Sequence, residues 1–83
     1  MLLKLSEKID VVAIYKDQFL PFKIRYRNRE YKILKLGYHH KIWVGKIIHH
    51  IFSVAGDTLA FRLDFDTENL IWTLEEVSDG IAD

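Results

Sequence analysis

Apolar and polar side chains alternate at every second residue along much of this chain. That period admits strands with one buried face and little else. Phe22, Ile24 and Tyr26 alternate with Lys23, Arg25 and Arg27. Leu59, Phe61, Leu63 and Phe65 alternate with Ala60, Arg62 and Asp64, and Leu70, Trp72 and Leu74 continue the same face. Ile9–Tyr15 is dense in β-branched residues and reads as a strand, as does Lys46–Val54. Met1–Lys8 is ambiguous, because Leu2, Leu5, Ile9 and Val12 also fit a helical stripe.

Turn residues divide these strands. Asn28-Arg29 offers a two-residue hairpin loop in which Asn tolerates the required positive φ. This register sets Tyr26 opposite Tyr31, Ile24 opposite Ile33, Arg27 opposite Glu30 and Arg25 opposite Lys32. The alternation slips by one at Ile33-Leu34-Lys35-Leu36, and Gly37 follows, which predicts a bulge or bend. Tyr38–Val44, between Gly37 and Gly45, is a short strand or a loop. Gly56-Asp57 predicts a type II′ turn and Asp66–Asn69 a polar four-residue turn, so that Leu63 faces Trp72 and Phe61 faces Leu74. Glu75–Asp83 reads as an acidic tail that Gly80 terminates.

A chain of 83 residues is one domain by size, with residues 1–8 and 78–83 as its fraying ends. A single flat sheet would leave its apolar face wet, so it must curl or be covered. The expected fold is therefore all-β: a small antiparallel, strongly curled sheet or partly open barrel, SH3-like or OB-like, of about five to seven strands. The chain has no cysteine, which excludes disulfides, cysteine-ligated zinc and thiol nucleophiles. Met1–Leu5 is too short for a signal peptide, and no apolar run approaches the length of a membrane span. A cytoplasmic protein with no membrane association is expected.

A formal net charge of zero conceals two opposed halves. Residues 1–50 carry eleven of the twelve Lys/Arg and four of the twelve Asp/Glu; residues 51–83 carry Arg62 and eight acids. Lys23, Arg25, Arg27 and Lys32 share the polar face of the first hairpin, with Arg29 at its turn. Such a face can neutralise phosphates and release counterions, and Tyr15, Tyr26, Tyr31, Tyr38 or Trp43 could add base stacking where exposed. The competing reading is that these cations merely solvate the outer face of a half-buried strand. Ile47, Ile51, Ala60 and Ile71 fall on the parity assigned outward, so either the rest of the chain covers them or a partner does.

The four histidines form two doublets, His39-His40 and His49-His50. Neighbouring side chains on a strand point to opposite faces, so neither doublet chelates alone. A metal site would need one histidine from each doublet and an acid such as Asp64, and no ligand spacing supports it. His49 and Asp64 should face each other, half of a general-base arrangement or simply an ion pair. Ser53 lies two positions along the same face with nothing to activate it. His50 should sit at the core edge near Leu63, hydrogen-bonded to backbone.

Pro21–Arg27 followed by Glu30–Ile33, together with His50–Val54, Phe61-Arg62-Leu63 and Trp72–Glu76, resembles a family of small all-β bacterial and archaeal domains of unknown function. Some of these are fused to or encoded near lesion-bypass (Y-family) DNA polymerases. The resemblance spans about residues 9–77 and implies a curled sheet and a DNA-associated role, with no catalytic residues to carry over. The expectation is a non-enzymatic module without cofactor or metal, binding DNA or RNA through Lys23, Arg25, Arg27, Arg29 and Lys32. The alternative is a protein-interaction or homodimerisation module using Ile47, Ile51 and Ile71.

Overall fold

The computed structural model describes residues 2–79 and contains eight strands in chain order. They are β1 Leu2–Lys8, β2 Asp10–Tyr15, β3 Phe19–Tyr26, β4 Arg29–Lys32, β5 Lys35–Val44, β6 Ile47–Ala55, β7 Ala60–Asp66 and β8 Ile71–Ser78. They form two antiparallel sheets, β1-β8-β7-β6-β5 and β2-β3-β4. The all-β antiparallel class expected from the period-two pattern is what the chain adopts. The apolar face is covered by a second sheet, and no barrel closes among the described residues. Among the described residues no helix is long and apolar enough to cross a membrane.

The core lies between the sheets. Phe52, Val54, Phe61, Leu63, Trp72, Leu74 and Val77 of the larger sheet meet Ile24 and Tyr26 of the smaller. Each fully buried aliphatic or phenyl side chain contributes roughly 1.5–3 kcal/mol. Two aromatic contacts pin the sheets at different points. The Phe19 ring lies 4.9 Å from Phe65 and 5.7 Å from Trp72, and Tyr31 lies 5.3 Å from Phe61.

The chain passes from one sheet to the other within two residues. Ile33 N donates to Phe22 O (2.9 Å) in the smaller sheet, and Leu34 N donates to Ala55 O (2.8 Å) in the larger. At this crossing a Cβ on Gly56 would stand 3.0 Å from the Lys32 carbonyl oxygen, which is why a residue without a side chain sits there. The β5–β6 register shifts between Leu36 and Tyr38, around Gly37. The parity slip in the sequence thus coincides with a bulge.

Faces follow the alternation, but registers differ from those the turn residues predicted. The first hairpin turns at Arg27-Asn28, both with positive φ (52° and 64°), and pairs Tyr26 with Arg29, Arg25 with Glu30, Ile24 with Tyr31 and Lys23 with Lys32. A type I′ loop needs positive φ at both central positions, which Asn tolerates better than most residues that carry a Cβ. Asn28→Ala should therefore cost about 1–2 kcal/mol in urea unfolding while Asn28→Gly costs almost nothing, because only a Cβ without a compensating polar group is penalised in the left-handed region.

The second hairpin pairs Ala55 with Ala60 through a four-residue loop in which Gly56 N donates to Leu59 O (2.8 Å). The glycine-first two-residue turn occurs instead at Gly45-Lys46, where Gly45 has φ 63° and Val44 pairs with Ile47. The last hairpin pairs Phe65 with Trp72 and Leu63 with Leu74; Leu70, expected to continue the buried face, is exposed in the turn at φ 58°. Leu2–Lys8 is a strand, and Glu75–Ser78 belongs to β8, paired with both β7 and β1. Residues 80–83, including the proposed stop at Gly80, lie outside the described residues.

Candidate functional site

The smaller sheet turns its second face to solvent, and Lys23, Arg25 and Lys32 lie on it; Arg27 lies in the hairpin turn, and Arg29, expected at that turn, opens β4 opposite Tyr26 and so falls on the other parity. Arg25, Arg27, Arg29 and Lys32 are exposed and Lys23 is half-buried. Their company differs from expectation. Lys23, not Arg25, stands opposite Lys32, and like charges in that position cost stability. Glu30 eases the pair from the diagonal, with its Oε1 4.0 Å from Lys23 Nζ.

Arg25 is flanked by Asp10 on one neighbouring strand and Glu30 on the other. Asp10 enters through the β2–β3 pairing, which no turn residue announces. The positive character is therefore greatest beside the turn, at Arg27 and Arg29, and again at the far end of the hairpin, where Lys23 and Lys32 pair. The Arg27 guanidinium sits 5.1 Å from the Tyr26 ring centroid.

Of the aromatic candidates for stacking, Tyr26 is buried and Tyr31 packs on Phe61. Tyr15, Tyr38 and Trp43 are 77%, 58% and 69% exposed. Tyr38 and Trp43 belong to β5, away from the basic hairpin.

The larger sheet separates the histidines onto its two faces. On the outer face His49 Nδ1 lies 2.6 Å from Asp64 Oδ1, and its Nε2 lies 4.0 Å from Asp66 Oδ2. Asp66, not Asp64, is directly opposite His49. Hydrogen bonds from the Asn69 backbone and side-chain amides hold the Asp66 carboxyl below the usual carboxylate range, and the Glu68 amide and His49 add to this. Ser53 is four residues along β6 from His49, about 13 Å at strand rise, so no nucleophile meets this pair. The arrangement is a cross-strand hydrogen-bonded pair beside the β7–β8 turn, in which Thr67 Oγ1 also donates to Ile48 O (2.7 Å).

On the core-side face one histidine from each doublet does meet the other. His39 Nε2 is 2.8 Å from His50 Nδ1, and the His39 ring stacks on Phe52 at 4.2 Å and 9°. His50, opposite Phe65 rather than Leu63, is thus satisfied by a side chain and not by backbone. The sheet itself divides His39 and His50 from His49 and Asp64. Among the described residues no three His, Asp or Glu side chains converge to hold a metal ion.

Burial first, then the charges of Lys41 and His40, hold His39 below the ordinary histidine range. Burial, His39 and Lys41 do the same to His50. Each ring therefore takes up its proton more readily in the unfolded chain. The stability tied to this pair is complete above about pH 6.5, the ordinary histidine value, and is lost as pH falls through the lowered folded values. A urea series from pH 7.5 to 5 should show falling stability towards acid, with a shallower slope in His39→Phe, which keeps the stack on Phe52.

The apolar candidates also separate. Ile51 is 1% exposed, in the interior strand β6 between His40 and Asp64, so it offers no surface to a partner. Ile47, Ala60 and Ile71 are half-buried. The exposed apolar surface lies instead on β5, at Leu36, Tyr38, Ile42, Trp43 and Val44, and on the smaller sheet at Val12, Ile14 and Phe22. Tyr38 and Trp43 were visible in the sequence as candidate stackers, but nothing there marked β5 as the outermost strand. Comparison with protein-family models, with curated proteins and with solved structures finds no match to this chain.

Proposed function

We propose that this protein is a non-enzymatic binding module that contacts the phosphate backbone of DNA or RNA through the β3–β4 hairpin. The observation that carries the reading is the gathering of Lys23, Arg25, Arg27, Arg29 and Lys32 on one hairpin, with Arg27 in its turn and Arg29 beside it. A target in DNA, a cytoplasmic setting and a curl of the SH3-like or OB-like kind belong to the same proposal. The register shifts in β2–β3 and β5–β6 support such a curl, since bulges bend and twist a sheet.

Asp10 and Glu30 offset part of the positive charge, leaving an effective contact of about three phosphates. With a slope of roughly −0.9 per phosphate, affinity should fall about 40-fold between 50 and 200 mM salt. Fluorescence anisotropy of labelled single- and double-stranded oligonucleotides reads this directly. Arg27→Glu/Arg29→Glu should abolish binding at 50 mM, while the same charge change at Lys16 and Lys46 should leave most of it. Absence of binding at 50 mM to either nucleic acid would remove the proposal.

A further inference from the structure

The two sheets present four edges of unequal length. β4 has four residues and β2 six, and β1 breaks its register between Lys4 and Glu7. Bulges, short strands and edge charges are how folded proteins prevent further strands from adding. β5 is different. It has ten residues, and after the bulge at Gly37 its stretch Tyr38–Val44 pairs one-to-one with Ser53–Ile47 without interruption. Among the described residues its other edge pairs with no strand. Along this stretch the backbone donors and acceptors of alternate residues, those not bonded to β6, are therefore offered to solvent, flanked by the exposed side chains of Tyr38, Ile42, Trp43 and Val44.

Charge selects the occupant. Residues 31–56 contain no Asp or Glu, while Lys35, Lys41 and Lys46 mark the two ends and the middle of this edge. A second copy of the chain pairing antiparallel along the whole flat stretch would be centred on Lys41 and would set Lys41 against itself, which is unfavourable. An acid in that place reverses the sign. Because neighbouring residues alternate faces, the positions either side of the acid would lie opposite His40 and Ile42 on one face. The positions two away would lie opposite His39 and Trp43 on the other.

The geometry points to β5 as a docking edge for an extended acidic segment of another protein, one that adds as a sixth strand with an acid opposite Lys41 and β-branched or aromatic residues around it. Main-chain hydrogen bonds would supply affinity and alternate side chains specificity, as in other cases of strand addition. This edge is separate from the basic hairpin, and its test does not depend on nucleic-acid binding.

The test is selection of random nine-residue peptides displayed against the folded protein, followed by synthesis of the enriched sequence. Peptides with one acid flanked by β-branched or aromatic residues are expected. The synthetic peptide should slow amide exchange within Tyr38–Val44. Lys41→Glu should weaken it about tenfold, and replacing the peptide's acid by Lys should restore binding to that variant. N-methylation of alternate peptide amides should abolish binding, since it removes strand pairing and leaves the charge. Enriched peptides without acid, protection elsewhere in the fold, or no binder at all would each overturn the inference. So would concentration-dependent dimerisation that protects the same β5 amides, which would assign the edge to a second copy.

Discussion

Phe52→Ala should cost about 3–5 kcal/mol, the range for truncating a buried phenyl group. Phe52 has no exposed surface. Its ring lies 5.7 Å from Trp72, 6.3 Å from Phe19 and 4.2 Å from His39, which stacks flat on it. Truncation removes the transfer energy of the ring and opens a cavity bounded by rigid aromatic groups that cannot collapse onto it. Against an ordinary stability of about 4–12 kcal/mol for a domain of this length, most of the margin disappears. Urea unfolding measures the loss, and Phe52→Leu should recover more than half of it. A cost below about 1 kcal/mol would mean that the two sheets do not meet at this ring.

Phe19→Ala should cost about 3 kcal/mol and, unlike Phe52→Ala, should act unevenly. Phe19 stands at the start of β3 and reaches across to His50, Phe52, Phe65 and Trp72. It is the aromatic group of the smaller sheet most engaged with the larger one. Without it, β2 and β3 keep their own ladder but lose one of two aromatic anchors, the other being Tyr31 on Phe61. Hydrogen exchange should therefore accelerate more in β2–β4 than in β6–β8, as local opening of a weakly docked unit. Equal acceleration in both sheets would show that they open only together.

Which side chains face inward was mostly legible from alternation: Ile24, Tyr26, Phe61, Leu63, Trp72 and Leu74 fall inside, whereas Phe22, grouped with Ile24 and Tyr26, is exposed because it is the extra residue where the β2–β3 register shifts. Register was not, because a shift of two residues preserves every face. The hairpins around Asn28, Gly56 and Asn69 are each displaced from expectation by such a shift. That is why His49 still meets Asp64, now from a diagonal position with Asp66 directly opposite. Ile51 misled for another reason. Outward parity implies exposure only where neighbouring side chains leave room, and in an interior strand between His40 and Asp64 they do not. The acid opposite Arg25 was hidden because Asp10 is placed there by a pairing between strands, which no local pattern encodes. The exposure of β5 was hidden for a similar reason, since the position of a strand within its sheet is a property of the whole topology.

The order β1-β8-β7-β6-β5 has a kinetic consequence. β5 to β8 form an uninterrupted meander, as do β2 to β4; every ladder in them joins strands consecutive in the chain. The exception is β1 with β8, where Leu3 meets Val77. Closing a loop that encloses nearly the whole molecule is entropically costly until its ends are already brought near. Loop-closure entropy therefore favours forming the two meanders, each from its own hairpins, before β1 fastens along β8. An interaction made after the rate-limiting step bears on unfolding more than on folding, so a substitution that weakens β1 against β8 should speed unfolding more than it slows folding.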